Sequence, residues 1–254
     1  MKRETRRRGL VVSASARAAF IGGVIAATAA TTVLYDGALG TPPEAQGFVY
    51  AEIGTATRTT TGGATTLDTT ALNAISAGYT VSPTVAPLLD RLAGYSVTFT
   101  AQVITETHTG SDRNSDGVDD RAGFSLTVLS TDTLGIELGF WPDRVWAQEG
   151  GAPVAAGGRL FTQAEGAALD TTTGLVTYTL MVDGSRYSLI ASGQPALGGA
   201  LRDYTAFTGP IDPYETPNFL FLGDNTTSAR GSVRLAHVSV IAPLNKTYLP
   251  LILK

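Results

Sequence analysis

The sequence predicts an all-β sandwich built as a single domain, and three observations predict it. Short segments of alternating apolar and polar residues follow one another, and Gly, Pro, Asn and Asp separate them. Charged residues are only 16% of the chain while Gly numbers 29 and Thr is abundant, a mixture that suits strand surfaces and frequent turns. With 254 residues, the chain is long enough to bury well over half of its unfolded surface around one core.

The first element is an export signal or an uncleaved anchor helix over residues 1–29. Residues 1–10, MKRETRRRGL, are strongly basic, and seventeen uncharged residues, AAFIGGVIAATAATTVL, follow Arg17. Ala27-Thr28-Ala29 offers small residues for cleavage, which would begin the mature chain near Ala30. If uncut, the segment barely spans a bilayer with its basic end inside, so either outcome places the remainder outside the cytoplasm. Loss of residues 1–29 removes six basic residues and one acidic residue, leaving 12 against 21 and a net charge near −9. An acidic surface without a basic stripe argues against nucleic acid or anionic membrane as partner. The absence of cysteine excludes disulfides, thiolate metal sites and a cysteine nucleophile.

The sandwich is expected over residues 30–243. Thr55 to Thr84, rich in Thr, Ala, Gly and Ser, predicts short edge strands and loops. In YSVTFTAQV the side chains of Tyr95, Val97, Phe99, Ala101 and Val103 share one face. The pattern repeats with Phe124, Leu126 and Val128; with Ile136, Leu138 and Phe140; with Val176, Tyr178, Leu180 and Val182; with Tyr187 and Leu189; and with Phe219 and Phe221 as inward residues. Asp183-Gly184 predicts a tight hairpin turn. Only Gln163 to Leu169, QAEGAAL, reads as helical, for one or two turns, with Gly166 weakening it. Leu67-Asp68-Thr69-Thr70 recurs as Leu169-Asp170-Thr171-Thr172, an echo too short to be an internal repeat.

From Gly94 onward the order of elements resembles the concanavalin A-like jelly roll, the group of laminin G-like modules, pentraxins and legume lectins. The residues that carry the resemblance are GIELGFWPDRVWAQ (135–148), TYTLMVDGSRYSLIASG (177–193), FLFLGDNT (219–226) and VRLAHVSVI (233–241). It implies a two-sheet antiparallel jelly-roll sandwich. The tail, residues 244–254, is similar in NKTYLPLILK to the Tyr-Leu-Pro-Leu ends of many exported proteins of green non-sulfur bacteria. It also reads as a terminal apolar strand that Pro250 confines to an edge, and it is too short to span a bilayer.

Residues 112–120, DRNSDGVDD, place oxygen-bearing side chains at Asp112, Asn114 and Asp116, a glycine at Gly117 and a further acid at Asp120. Calcium takes six to eight oxygens, alternate acids point them inward, and the sixth-position glycine permits the sharp turn. The carbonyl of Val118 would add a ligand, and Asp119 is a further candidate. Gly123 stands where a bidentate Glu closes an EF-hand, and no helix flanks the loop. It therefore resembles the DxNxDGxxD loops of dockerin-like and thrombospondin-type repeats, which implies a structural calcium ion rather than a switch. The bland alternative is a solvated loop whose Asp and Asn form turns.

No catalytic pattern emerges. None of the eight glutamates is followed two residues later by Asp, as the glucanases of this architecture require. His108 and His237 form no HExxH pair, and no Gly-x-Ser-x-Gly occurs. Trp141 and Trp146, with Arg144 and Gln148 nearby, form a residue set that stacks on and hydrogen-bonds sugars, although such aromatics more often fill a core. Alternation puts Trp141 with Glu137 on the face opposite Ile136, Leu138 and Phe140. The expected function is an exported or surface-displayed binding or structural module, not an enzyme, with Glu137, Trp141, Arg144 and Trp146 as candidate contacts to a glycan or cell-surface protein. A degenerate or unrecognised carbohydrate-active enzyme is the alternative.

Overall fold

The computed structural model describes residues 29–82, 84–112, 114–150, 161–209 and 212–243. The expected signal segment up to residue 28 and the tail from 244 lie outside the described residues. Among those described, no helix is long and apolar enough to cross a membrane.

The chain runs through β1 (Ala30–Asp36), two short 3-10 turns (Gly37–Leu39 and Pro43–Gln46), β2 (Phe48–Ile53), β3 (Thr57–Thr61), β4 (Ala64–Asp68) and β5 (Ser76–Val81). It continues through β6 (Tyr95–His108), β7 (Ser125–Leu129), β8 (Gly135–Trp141), β9 (Arg144–Gln148) and β10 (Gln163–Ala168). Then follow β11 (Val176–Asp183), β12 (Arg186–Ala191), β13 (Gln194–Ala200), β14 (Phe219–Asp224) and β15 (Ala229–Ala242). Every pairing between these strands is antiparallel, and they form two sheets. The first sheet runs β13-β12-β11-β6-β15-β4-β3, the second β10-β9-β8-β7-β14-β5-β2. β4 pairs with the start of β15 and β1 with its end, so β1 and β4 share one side of that long strand.

The two inner faces supply the core. Tyr95, Val97, Phe99, Ala101 and Val103 of β6 are all buried, as the alternation predicts. Phe99 stacks on Tyr178 of β11 at 4.9 Å and meets Phe140 of β8 edge-on at 5.9 Å, which locks one sheet onto the other. On the outer side of β6, hydroxyl pairs Thr98–Thr179 (3.1 Å) and Thr100–Thr177 (3.0 Å) link β6 to β11. These are the cross-strand pairs that threonine favours.

Four sequence expectations change. Residues Gln163–Ala168 form β10 rather than a helix, because pairing with β9 satisfies their backbone. Gly166 is required there: a Cβ would come 2.7 Å from Arg144 Nη2 and 3.1 Å from Trp146 Cβ. In β14 the inward residues are Leu220 and Leu222, whereas Phe219 and Phe221 lie half-buried on the outer face. A run of four apolar residues gives alternation no means of choosing between the two registers. The Phe221 ring lies over the cross-strand glycine pair Gly78 and Gly223, where a Cβ on Gly78 would approach it to 2.3 Å. Asp183 pairs with Arg186, so the hairpin turn is Gly184-Ser185, with φ of 63° at Gly184 alone, the II′ arrangement. Finally, of Thr55 to Thr84, only β3 lies at an edge, while β4 and β5 are internal.

The Leu-Asp-Thr-Thr echo is a shared local turn. Asp68 Oδ1 accepts from the backbone N and hydroxyl of Thr70, and Asp170 Oδ1 does the same for Thr172.

Candidate functional site

The end of β6, the loop from 109 to 123, the β8–β9 turn and the end of β10 meet at one rim of the sandwich. Trp141 and Arg144 are cross-strand partners flanking the turn Pro142-Asp143, whose proline presets the first turn residue. Ala168 lies opposite Arg144 on β10. With His108 these residues line a pocket of about 380 Å³: His108, Trp141, Asp143, Arg144 and Ala168. Asp143 is a residue the sequence reading missed. Its position after Pro142 in a two-residue turn was the available signal.

His108, the last residue of β6, stacks on the Trp141 indole at 3.7 Å between centroids and 8° between planes. Trp146 packs against the same indole at 4.5 Å, and Trp141 Nε1 donates to the Arg121 carbonyl at 2.9 Å. Trp141 is thus held from several sides, and His108 supplies the outermost ring. The imidazole is itself fixed: Nδ1 lies 2.7 Å from Oε2 of Glu106, whose Oε1 accepts from Gly123 N at 3.1 Å. Burial raises the Glu106 carboxyl above its ordinary range, and the contact with His108 offsets part of that rise.

Glu137 and Trp146, expected beside a ligand, are fully buried. Glu137 does share the face of Trp141, but Arg121, Tyr204 and Tyr214 close around it there. Arg121 Nη1 lies 3.1 Å from Glu137 Oε1, a charge contact without hydrogen-bond alignment. The hydroxyl of Tyr214 donates to Glu137 Oε2, and the backbone N of Glu137 donates to the Tyr204 oxygen at 3.0 Å. Tyr204 in turn donates to the Gln148 carbonyl at 2.8 Å. Burial, and then the neighbouring Glu137 charge, push both phenols well above their ordinary range. Trp146 fills the space above Gly139, where a Cβ would come 2.6 Å from its ring. Sequence alternation assigned the face correctly; it carries no information about distant segments folding over it.

Of the expected calcium ligands, the fold draws together Asp112, Asn114 and Asp116. Asp112 accepts from Asp116 N at 3.2 Å through Oδ1 and from Gly117 N at 2.9 Å through Oδ2. Asn114 Oδ1 accepts from Asp116 N at 3.1 Å, and Asp116 Oδ1 accepts from Val118 N at 2.8 Å. Gly117 has φ of 86°, which favours glycine. Asp120 is placed differently: it is buried, and its Oδ1 accepts from Gln163 N at 2.9 Å. Gln148 Nε2 and Gln163 Nε2 hold the carbonyls of Asp120 and Asp119. Asp119 closes the neck of the loop by accepting from Ser111 N at 2.6 Å. Among the described residues no three His, Asp or Glu side chains assemble as a metal-binding group. The side-chain oxygens of Asp112, Asn114 and Asp116 are engaged by backbone N–H groups of the loop itself, whereas Asp120 is engaged by β10.

A second buried acid, Asp224 at the end of β14, accepts from Thr69 Oγ1 at 2.6 Å and Thr226 N at 3.1 Å. Burial pushes its carboxyl up to about 8, against the lowering effect of those two hydrogen bonds. The adjacent Asn225 Oδ1 accepts from Arg121 Nη2 at 2.8 Å and Ser125 Oγ at 2.9 Å, which steadies Arg121 beneath the rim. His237 lies on β15 opposite Asp36 and Thr100, away from His108.

No family model matches the chain, and no curated protein matches it. Among solved structures it is similar to Crh5 transglycosylase in complex with NAG, at 11% identity and a TM-score of 0.49, over 87% of each chain. It is similar to the carbohydrate esterase vb_24B_21 from the Shiga toxin-encoding bacteriophage phi24B, at 15% identity and a TM-score of 0.47, over 78% of this chain and 91% of that one. It is also similar to the exoplasmic/lumenal domain of VIP36 in its Ca2+/Man3GlcNAc-bound form, at 12% identity and a TM-score of 0.45, over 86% and 90%. At these identities none of them assigns a role to any residue of this chain.

Proposed function

We propose that this chain is an exported or surface-displayed β-sandwich module that binds glycan at the rim pocket, with a structural calcium ion in the adjoining loop 112–118. The observation that carries the reading is the pocket itself. It combines an aromatic stack, His108 on Trp141, with a guanidinium from Arg144 and a carboxylate from Asp143 in one concavity. Ring faces and edges match the C–H surface of a sugar, and the charged groups match its hydroxyls. Calcium would bind the oxygens of Asp112, Asn114 and Asp116 and stiffen the loop that passes Trp141 through Arg121, a clasp in a domain without disulfides.

Binding is favoured over turnover by the acid content of the pocket. Among its lining residues Asp143 is the one carboxylate, whereas the common glycosidase route needs two facing carboxyl groups. Glu137, the other acid on this face, is sealed by Arg121 and Tyr214. A glycan array run with calcium and with chelator, alongside a polysaccharide turnover assay, tests the reading. Binding without turnover, reduced by His108→Ala, is the expected result. A blank array overturns glycan binding in favour of a purely structural or protein-binding module, and turnover of any polysaccharide identifies an enzyme.

A further inference from the structure

Arg58, Arg91, Arg121 and Arg202 each ion-pair with a carboxylate of this chain: Glu44, Asp132, Glu137, and Glu165 with Glu149. Arg144 differs. It is half-buried, its Nε is buried without a hydrogen-bond partner, and no carboxylate among the described residues ion-pairs with it. Nor is its guanidinium loose. It lies across Gly166, where a Cβ would come within 2.7 Å of Nη2 and 3.1 Å of Nε, so the missing side chain on β10 makes the space that positions the charge. Asp143 beside it is exposed and therefore solvated by water rather than by Arg144.

From this arrangement we infer that the glycan bound at the rim pocket carries a carboxylate, a uronic acid, which Arg144 receives. The inference rests on the glycan-binding reading above and specifies its ligand class. A pre-positioned guanidinium whose terminal Nη1 and Nη2 have no hydrogen-bond partner among the described residues is complementary to a planar anion that accepts two parallel N–H bonds from that edge, while the buried Nε stays out of a ligand's reach. A neutral hydroxyl satisfies only one of them and leaves the charge uncompensated. The rest of the molecule argues the same way by contrast. The mature part of the chain is acidic, so its general field repels an anionic polymer, and any preference for the acid form has to originate locally.

The test uses oligosaccharides bearing glucuronate, galacturonate or mannuronate, each paired with its carboxyl-reduced counterpart, titrated calorimetrically into the purified protein. Titrations are run at about 0.15 M salt to screen long-range charge, once with calcium and once with chelator. At least one acid oligosaccharide is expected to bind ~10-fold or more tightly than its reduced partner, and Arg144→Gln is expected to bring the ratio of the two affinities close to one, whatever it does to binding of the reduced form. Arg144→Lys, which keeps the charge but not the fork, is expected to retain part of the preference and serves if the glutamine variant does not fold. Equal binding within every matched pair, or a preference that survives Arg144→Gln, overturns the inference while leaving glycan binding intact. Arg144-dependent binding confined to sulfated sugars reassigns the pocket to sulfate and likewise overturns it. No binding of either member of any pair overturns the inference, while the glycan array decides the broader glycan-binding reading separately.

Discussion

Arg121 and Glu137 stand 3.1 Å apart with both side chains shielded from water, Arg121 from the loop that ends at β7 and Glu137 from the middle of β8. The pair ties that loop to the outer face of the second sheet, and Tyr214 closes over the carboxylate. A buried pair stripped of one partner leaves an uncompensated charge. Arg121→Met is therefore expected to lower stability by about 3–5 kcal/mol, measured by urea denaturation. Replacing both residues by apolar ones of similar volume is expected to recover most of that loss. If the double variant is no more stable than the single one, the loss reflects packing and not charge.

Asp224 makes stability pH-dependent in a direction opposite to that of most carboxylates. Its folded-state value lies at about 8, above the ordinary 3.8, so the folded state holds this proton more tightly than the unfolded state does. Its contribution is fully present below the ordinary value and is lost as pH rises to about 8. Wild type is expected to lose up to about 1.4 kcal/mol per pH unit relative to Asp224→Asn across that window. Urea midpoints of both proteins between acid and mildly alkaline pH check this, and parallel curves would refute it.

Much of this fold is legible because alternation is unambiguous wherever polar residues interleave the apolar ones, as in β6, β11 and β12. It fails where both faces are covered or both registers are apolar. β7 is buried at Ser125 and Thr127 as well as at Leu126 and Val128, and β14 reads equally well with Phe or Leu inward. The rim was partly legible: Trp141 and Arg144 stand out by residue type as part of a set that stacks on and hydrogen-bonds sugars. The burial of Glu137 was not, because it depends on Arg121, Tyr204 and Tyr214, residues 16 to 77 positions distant in sequence that no local pattern links.

Trp146 is a packing residue, and the glycine beneath it shows this. A Cβ on Gly139 would meet ring atoms of Trp146 at 2.6, 2.8 and 3.0 Å, and the ring has no solvent to retreat into. Gly139→Ala is expected to cost about 1–3 kcal/mol by overpacking. The smaller ring of Trp146→Phe in the same background should relieve part of that cost, giving a favourable coupling energy in a double-mutant cycle. Additive effects would mean that the strain lies elsewhere in β8.

The loop 112–120 divides into two halves with different expected responses to calcium. In the first half, Asp112 already gathers the backbone of Asp116 and Gly117, and like charges at Asp112 and Asp116 repel until a cation joins them. Added calcium at about ten times its Kd is expected to stabilise the protein by about 1.4 kcal/mol, seen as a rise in Tm that chelator reverses. Asp112→Ala should abolish that rise. In the second half, Asp120 holds Gln163 N and is held through its carbonyl by Gln148, so it joins the loop to β9 and β10 whether or not metal is bound. Asp120→Asn should therefore lower Tm equally with calcium and with chelator. A calcium response lost in Asp120→Asn would instead make Asp120 a ligand, and a Tm unchanged by calcium in wild type would leave the loop a hydrogen-bonded turn alone.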